Sequence, residues 1–324
     1  MNNNLSDKIL DVIINYNVVR ETVVNDPNCE QFINKFVKKI YVINLDKDKV
    51  RRNYMLCLLK KYNINFEFII VSPLNDGQYD AIKKQNRNIN KGQSGCYFSH
   101  MYCLNDAVQN NYTNIIILED DIIFHKKFHS LFEHTMLQDS YDILMLGASD
   151  FDFYKSNYIL NAQHNIYQSN TNNKYLYGTF SIYYSLKGYT DFFKTKLVAT
   201  SLIDYNLANI HKNISNNIGV CMPNLIIADN STTNINNTYG INNRFYNGVY
   251  LKKCYNNKLN YHDYNTFTIC LLNNPIFNDA DNFRKKFANI IDECLNKTKI
   301  NYNPIDDFFT EDDVFFILYN GIFT

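Results

Sequence analysis

Tryptophan is absent from this 324-residue chain, and so is any net charge, since Lys plus Arg and Asp plus Glu each total 32. Without a basic excess nothing advertises nucleic acid or an anionic membrane as a partner. No apolar run approaches the ~20 residues that span a bilayer, and the opening Met1-Asn2-Asn3-Asn4-Leu5-Ser6-Asp7 lacks a basic region followed by an apolar one. A cytoplasmic chain is therefore expected. The eight cysteines are scattered, with no Cys-x-x-Cys and no pairing with histidine at zinc-ligand spacing, so reduced, mostly buried thiols are expected. No stretch rich in Pro, Gly or Ser marks a linker, and no repeat is evident. The excess of Asn, Ile, Lys and Tyr fits an AT-rich genome rather than a physical requirement.

What stands out is Asn114-Ile115-Ile116-Ile117-Leu118-Glu119-Asp120-Asp121, an apolar run that ends in three adjacent carboxylates. Four consecutive apolar residues bounded by polar ones predict a strand buried on both faces, as in a parallel sheet covered by helices. Ligands in such sheets bind at the carboxyl ends of the strands. Neighbouring carboxylates resist joint ionisation unless a cation offsets their charge. Oxygen ligands suit Mg²⁺ or Mn²⁺, often shared with substrate phosphates, so the triplet points to a metal-nucleotide site; an acidic surface turn is the alternative.

The surrounding pattern supports an α/β fold. Residues 5–36 carry a loosely helical pattern, with Leu5, Ile9, Val12 and Ile13 on one face, and read as an N-terminal helical appendage over 1–37. Residues 40–45 read as a strand, 50–62 as a helix, 66–71 as a strand, 78–85 as a short helix, 92–109 as a helix and 142–147 as a short buried strand. Strand and helix alternate, which implies a mostly parallel Rossmann-like sheet. Further on, a strand is expected near 175–184 and helices near 187–196 and 201–211, shaping an acceptor pocket. A catalytic domain over 38–240 and a C-terminal helical extension over 241–324 complete the expected organisation.

Other acidic clusters compete. Glu311-Asp312-Asp313 follows Thr310 and precedes an apolar run, which reads as a capped helix start whose acids complement the helix dipole. Asp150-Phe151-Asp152 has acid-x-acid spacing after a short strand and is a rival metal site. His125, His129 and His134 read as decorating the surface of a helix. Before the main triplet, Gly92-Gln93-Ser94-Gly95-Cys96-Tyr97-Phe98-Ser99-His100 places two glycines three apart at a helix start, where backbone can approach a ligand and unpaired N–H groups can meet phosphate.

Three blocks together, Ile43-Asn44-Leu45-Asp46 with Arg51, Gly92-x-x-Gly95-Cys96-x-x-Ser99-His100, and Leu118-Glu119-Asp120-Asp121, resemble family 25 glycosyltransferases, which include lipooligosaccharide and collagen galactosyltransferases. Looser matches follow at Tyr177-Gly178-Thr179-Phe180-Ser181-Ile182-Tyr183, Leu202-Ile203-Asp204 and Pro223-Asn224-Leu225-Ile226, so the resemblance covers roughly 38–235.

The resemblance implies a GT-A fold and Mn²⁺-dependent (or Mg²⁺-dependent), inverting transfer of galactose or glucose from a UDP-sugar to a glycan or a collagen-like hydroxylysine. Carried over by position, Asn44, Leu45, Arg51, Gly92, Ser99 and His100 border the nucleotide-sugar. Glu119 and Asp121 hold the metal, Asp120 faces ribose or sugar, and Asp204 is the candidate base. A viral source would point to glycosylation of virion surface proteins in the host cytoplasm. The chain departs from the family at Gln93, usually Glu, and near Asp229. Gln93 motivates a rival expectation, an inactive module that binds nucleotide-sugar or glycan without turnover. A metal-dependent phosphohydrolase is a third, weakened because no second carboxylate cluster accompanies histidines.

Overall fold

The computed structural model describes residues 17–24, 33–83, 90–125, 127–138, 140–148, 159–161, 166–168, 178–194, 217–221 and 224–228. Three parallel strands build the first half of its sheet, Lys39–Leu45 (β2) between Phe66–Val71 (β3) and Asn114–Glu119 (β4). Their apolar runs are buried on both faces because successive side chains point to opposite sides of the sheet. Tyr41, Ile69, Ile115 and Ile117 enter one core; Ile40, Val42, Phe68, Ile70, Ile116 and Leu118 enter the other.

Helices Ile33–Phe36 (α1), Lys49–Lys61 (α2), Asp76–Lys83 (α3), Lys91–Asn110 (α4), Phe128–Gln138 (α5) and Leu186–Lys194 (α6) complete the layers. On the first face, α4 supplies Tyr97, Phe98, Met101 and Leu104, and α6 supplies Tyr189 and Phe192. The second face is covered by Ile33 of α1, Met55, Leu58 and Leu59 of α2, and Phe128 and Phe132 of α5. At roughly 25 cal/mol per Å² of apolar surface removed from water, side chains of this size each contribute about 1.5–3 kcal/mol.

The remaining strands are Val18–Val23 (β1), Ile122–Phe124 (β5), Ile143–Met145 (β6), Ile159–Asn161 (β7), Ile166–Gln168 (β8), Ser181–Ser185 (β9), Ile218–Cys221 (β10) and Ile226–Ala228 (β11). With β2, β3 and β4 included, nine of the eleven described strands form one sheet in the order β1-β3-β2-β4-β9-β6-β10-β8-β7, while β5 and β11 pair separately. The expectation of a mostly parallel sheet is corrected: only β2/β3, β2/β4 and β6/β10 are parallel, and the other five pairings of that sheet are antiparallel. Strand–helix alternation, the basis of the expectation, holds only as far as β4. Antiparallel neighbours need no crossover helix, so the later short strands can join the sheet directly.

A second correction concerns the N-terminal segment. Val18–Val23 is a strand, paired antiparallel with β3, inside the stretch whose pattern reads as helical. The reason is its β-branched content, which favours extended backbone, and an ionic anchor. Arg20 donates to both oxygens of Glu67 at 2.7 Å and reaches Asp106 at 2.5 Å, while Lys39 adds a contact to Glu67 at 2.7 Å. Residues 5–16 lie outside the described residues, as do 150–152, 201–211 and everything beyond 228. Of the strand expected near 175–184, residues 175–177 lie outside the described residues and Ser181–Ser185 is a strand, while His125 sits buried in a bridge ahead of α5 rather than on a helix surface. His129, on α5, stacks on Tyr62 at 5.1 Å between ring centroids.

Burial pushes the Glu67 carboxyl up, but Arg20 and Lys39 outweigh it and hold its pKa below the ordinary 4.5. A carboxylate depressed in the folded state stabilises fully above its unfolded pKa and loses that contribution as pH falls through the folded value. Arg20→Gln should therefore cost about 2 kcal/mol near neutrality, less than the usual cost of breaking a buried pair because Lys39 stays on Glu67. The gap in Tm between wild type and variant should narrow as pH is lowered below 4.5, which thermal melts across pH would show.

Candidate active site

The carboxyl ends of the three parallel strands, at Leu45, Val71 and Glu119, open with the first turns of α4 onto one cavity of about 290 Å³. This is where ligands bind in open α/β sheets, because the loops leaving the strand ends diverge there. Its apolar lining comes from Ile43, Leu45, Val71, Pro73 and Leu74, and its ionic lining from Lys47, Arg51, Lys91, Glu119, Asp120 and Asp121. An apolar bed beside a mixed-charge wall suits a ligand with one flat, weakly polar end and one anionic end.

Within the triplet the three acids have different surroundings. Asp120 is 7 % exposed and accepts at both oxygens, from Arg51 Nη1 at 2.8 Å and from Asn44 Nδ2 at 2.6 Å. Burial raises its pKa above the ordinary range despite these donors. Arg51 Nη1 also reaches Asp121 Oδ2 at 3.3 Å, so one guanidinium spans two carboxylates. Arg52, which the sequence reading passed over, donates Nε to Asn44 Oδ1 at 2.8 Å. That contact fixes which way the Asn44 amide faces and therefore keeps Nδ2 aimed at Asp120.

Glu119 turns the other way, toward α4 and β9. Its Oε1 accepts from Thr179 Oγ1 at 2.7 Å, lies 3.3 Å from His100 Nε2, and has Cys96 Sγ at 3.9 Å. Burial pushes this carboxyl up, yet His100, Thr179 and Arg51 together leave it below the ordinary value. The Thr179 contact depends on the chain entering β9: Gly178 adopts φ 102°, open to glycine and costly for other residues. The Glu119 N–H then bonds Phe180 O at 2.9 Å, clamping the acid turn to that segment.

The turn is held from its other side as well. Asp121 leads into β5, which pairs antiparallel with β11, and Tyr54 Oη donates to Ile122 O at 2.6 Å. β11 can reach β5 because Gly147 lets the Leu225–Ile226 backbone lie against it; the Leu225 and Ile226 N–H groups both bond Leu146 O.

The start of α4 explains the departure at Gln93. Asn90 Oδ1 accepts from Gln93 N at 2.8 Å and Gln93 Oε1 accepts from Asn90 N at 2.9 Å, a reciprocal capping box. Glu and Gln serve equally in that role. Gln93 is thus a helix cap and does not line the cavity, so the observation that motivated an inactive module has a structural account. Ser99, though on the cavity wall, commits its hydroxyl to Gly95 O at 2.8 Å.

Of the residues singled out from the sequence, Asn44, Leu45, Arg51, Gly92, Ser99, His100, Glu119, Asp120 and Asp121 all line this cavity, drawn from four segments of the chain. Asp204 lies outside the described residues. Sequence reasoning missed Thr179, Arg52 and the pairing of Cys96 with His100. The last was legible, because residues four apart share a helix face, and it corrects the statement that no cysteine pairs with histidine at ligand spacing. No helix among the described residues is long and apolar enough to cross a membrane.

The family model for glycosyltransferase family 25 (LPS biosynthesis protein) matches residues 37–205, just over half of the chain. The chain belongs to glycosyltransferase family 25. A Haemophilus influenzae protein provisionally described as a glycosyltransferase is 30 % identical over 136 residues, 39 % of this chain and 48 % of that protein. A glycosyltransferase 25 family member of Aedes aegypti is 27 % identical over 134 residues, 36 % of this chain and 21 % of that protein. This chain spans less than half the length of either relative. Among solved structures, the crystal structure of A197 from STIV superposes on 57 % of this chain and 82 % of its own, at 11 % identity and a TM-score of 0.28.

Proposed function

We propose that this chain is an inverting hexosyltransferase of the GT-A type that moves galactose or glucose from a UDP-sugar to a glycan or to a collagen-like hydroxylysine. The observation that carries the reading is the division of labour among the three acids. All three acids line the cavity, and Asp120 already accepts at both oxygens from Arg51 and Asn44, so Glu119 and Asp121 are the two assigned to a divalent ion. Mg²⁺ and Mn²⁺ sites commonly use one or two carboxylates and take their remaining ligands from substrate phosphates and water. The donor set therefore fits such an ion, held by Glu119 and Asp121. When bound, a divalent cation offsets the charge that develops on a departing diphosphate.

In this reading the protein's own groups do the rest. The apolar wall of Ile43, Leu45 and Leu74 receives the nucleoside, and Lys47 and Lys91 face the anionic diphosphate. Arg51 bridges Asp120 and Asp121 through one Nη1, and Asn44, aimed by Arg52, stops Asp120 from swinging toward the cation. Inversion needs a single in-line displacement: the acceptor oxygen bonds the sugar's anomeric carbon as the bond to UDP breaks. A carboxylate on the face opposite UDP takes the hydroxyl proton, and Asp204 is the proposed base.

The test is UDP release from UDP-galactose and UDP-glucose, with Mn²⁺ and with chelator. Release that requires the metal is expected. Full-rate release in chelator would remove the metal assignment, and no release from any UDP-sugar under either condition would remove the donor class.

A further inference from the structure

We propose that Cys96, His100 and Glu119 form a three-ligand site for a soft divalent cation of the Zn²⁺ class, with its fourth coordination position open to the cavity. The site differs from the hard-ion reading of Glu119 with Asp121 in two of its ligands and in the chemistry of the ion. It does not rest on the nucleotide reading, although the two share Glu119.

Geometry argues for it first. Cys96 and His100 lie one turn apart on α4, and the possible ligand atoms of Cys96, His100 and Glu119 all fall within 4.8 Å of one another. With Zn–N, Zn–O and Zn–S bonds of about 2.0–2.3 Å at tetrahedral angles, ligand atoms should stand about 3.3–3.6 Å apart. His100 Nε2 and Glu119 Oε1 are at 3.3 Å already, and Cys96 Sγ to Glu119 Oε1 is 3.9 Å, so only the thiol has to close in. All three residues line the cavity, which leaves solvent or substrate the fourth position found in open zinc sites.

The surroundings are those of a held ligand set. His100 is fully buried, with Nε2 turned to Glu119 Oε1. Thr179 Oγ1 donates to Glu119 Oε1 at 2.7 Å and orients the carboxylate, the kind of outer contact that tunes metal ligands. Sulfur and imidazole ligands favour Zn²⁺, Co²⁺ or Cu⁺ over Mg²⁺ and Mn²⁺. On binding, the Cys96 S–H bond breaks, its proton passes to solvent, and the thiolate lone pair fills the metal bond. Glu119 then serves the soft ion, so Zn²⁺ at this site and a hard ion shared with Asp121 compete.

Co²⁺ titration of the metal-free full chain reads thiolate ligation directly. Expected are a thiolate-to-metal charge-transfer band in the near ultraviolet and tetrahedral visible bands, saturating at one equivalent and displaced by Zn²⁺. Cys96→Ser should abolish the charge-transfer band, His100→Gln should weaken Co²⁺ affinity at least tenfold, and Asp121→Asn should leave the band in place. A folded wild type without the band, or a band that persists in Cys96→Ser, overturns the proposal. Wild-type protein supplies a second readout: Zn²⁺ should slow alkylation of Cys96, mapped by mass spectrometry, and an unchanged rate contradicts the site whatever the variants do. Because Asp121→Asn separates this site from the hard-ion reading, either can fail without the other.

Discussion

Asp121→Asn should fold like the wild type and lose about 1000-fold in kcat/KM for transfer from a UDP-sugar. The amide keeps the shape of the side chain but removes one of the two carboxylates assigned to the ion, Asp120 being engaged at both oxygens by Arg51 and Asn44. Charge stabilisation by a bound cation is worth several kcal/mol, and each ~1.4 kcal/mol is a factor of ten in rate. Folding should be spared because the turn is clamped through backbone, by Glu119 N–H to Phe180 O and by the β5–β11 pairing, neither of which uses the Asp121 carboxylate. Steady-state kinetics at several Mn²⁺ concentrations checks the expectation: excess metal should restore part of the loss if Asp121 acts through the ion. A variant with wild-type kinetics would remove Asp121 from the site.

The largest stability effect is expected at Gly147→Ala. An added Cβ would overlap the Ile226 carbonyl oxygen and crowd the Phe180 ring, and backbone cannot step aside the way a flexible side chain can. Overpacking of this kind costs about 3 kcal/mol or more. The damage should also reach the site, because β11 braces β5 immediately after Asp121 and Phe180 accepts from Glu119 N–H. Chemical denaturation should show a lower midpoint, and the folded fraction should bind UDP less tightly. An unchanged midpoint would mean that the close approach of Gly147 to β11 is not what holds the turn.

The half of the chain that sets up the cavity was legible because its signals are local. Residues 68–71 and 115–118 are continuous apolar runs, and the strands built on them differ from expectation by a residue at most. The two helices over 49–61 and 91–110 begin and end within two residues of where their patterns do. The acid triplet could be placed because strand ends carry ligands in this class of sheet. Partition among its members could not, since it depends on which donors arrive from Asn44, Arg51, Thr179 and His100, between 19 and 76 positions away.

Other features were in the sequence but outweighed. Val18-Val19 and Thr22-Val23 favour a strand by content, yet the helical spacing of the residues before them set the reading; the deciding contact, Arg20 with Glu67, is 47 positions distant. Gln93 looked like a lost carboxylate because its departure from the family was read as chemistry, whereas Asn90 three residues earlier marks a capping box. The direction of β9 had no local signature: whether a strand joins parallel or antiparallel is settled by the path of its connections.

The central claim, that this cavity holds a nucleoside diphosphate with a hard divalent ion on Glu119 and Asp121, is tested most directly by calorimetric titration of UDP into metal-free protein with and without Mn²⁺. Tight binding that requires Mn²⁺, and that falls away in Asp121→Asn, is the predicted result. UDP binding of equal strength in chelator, or none in either condition, would contradict it.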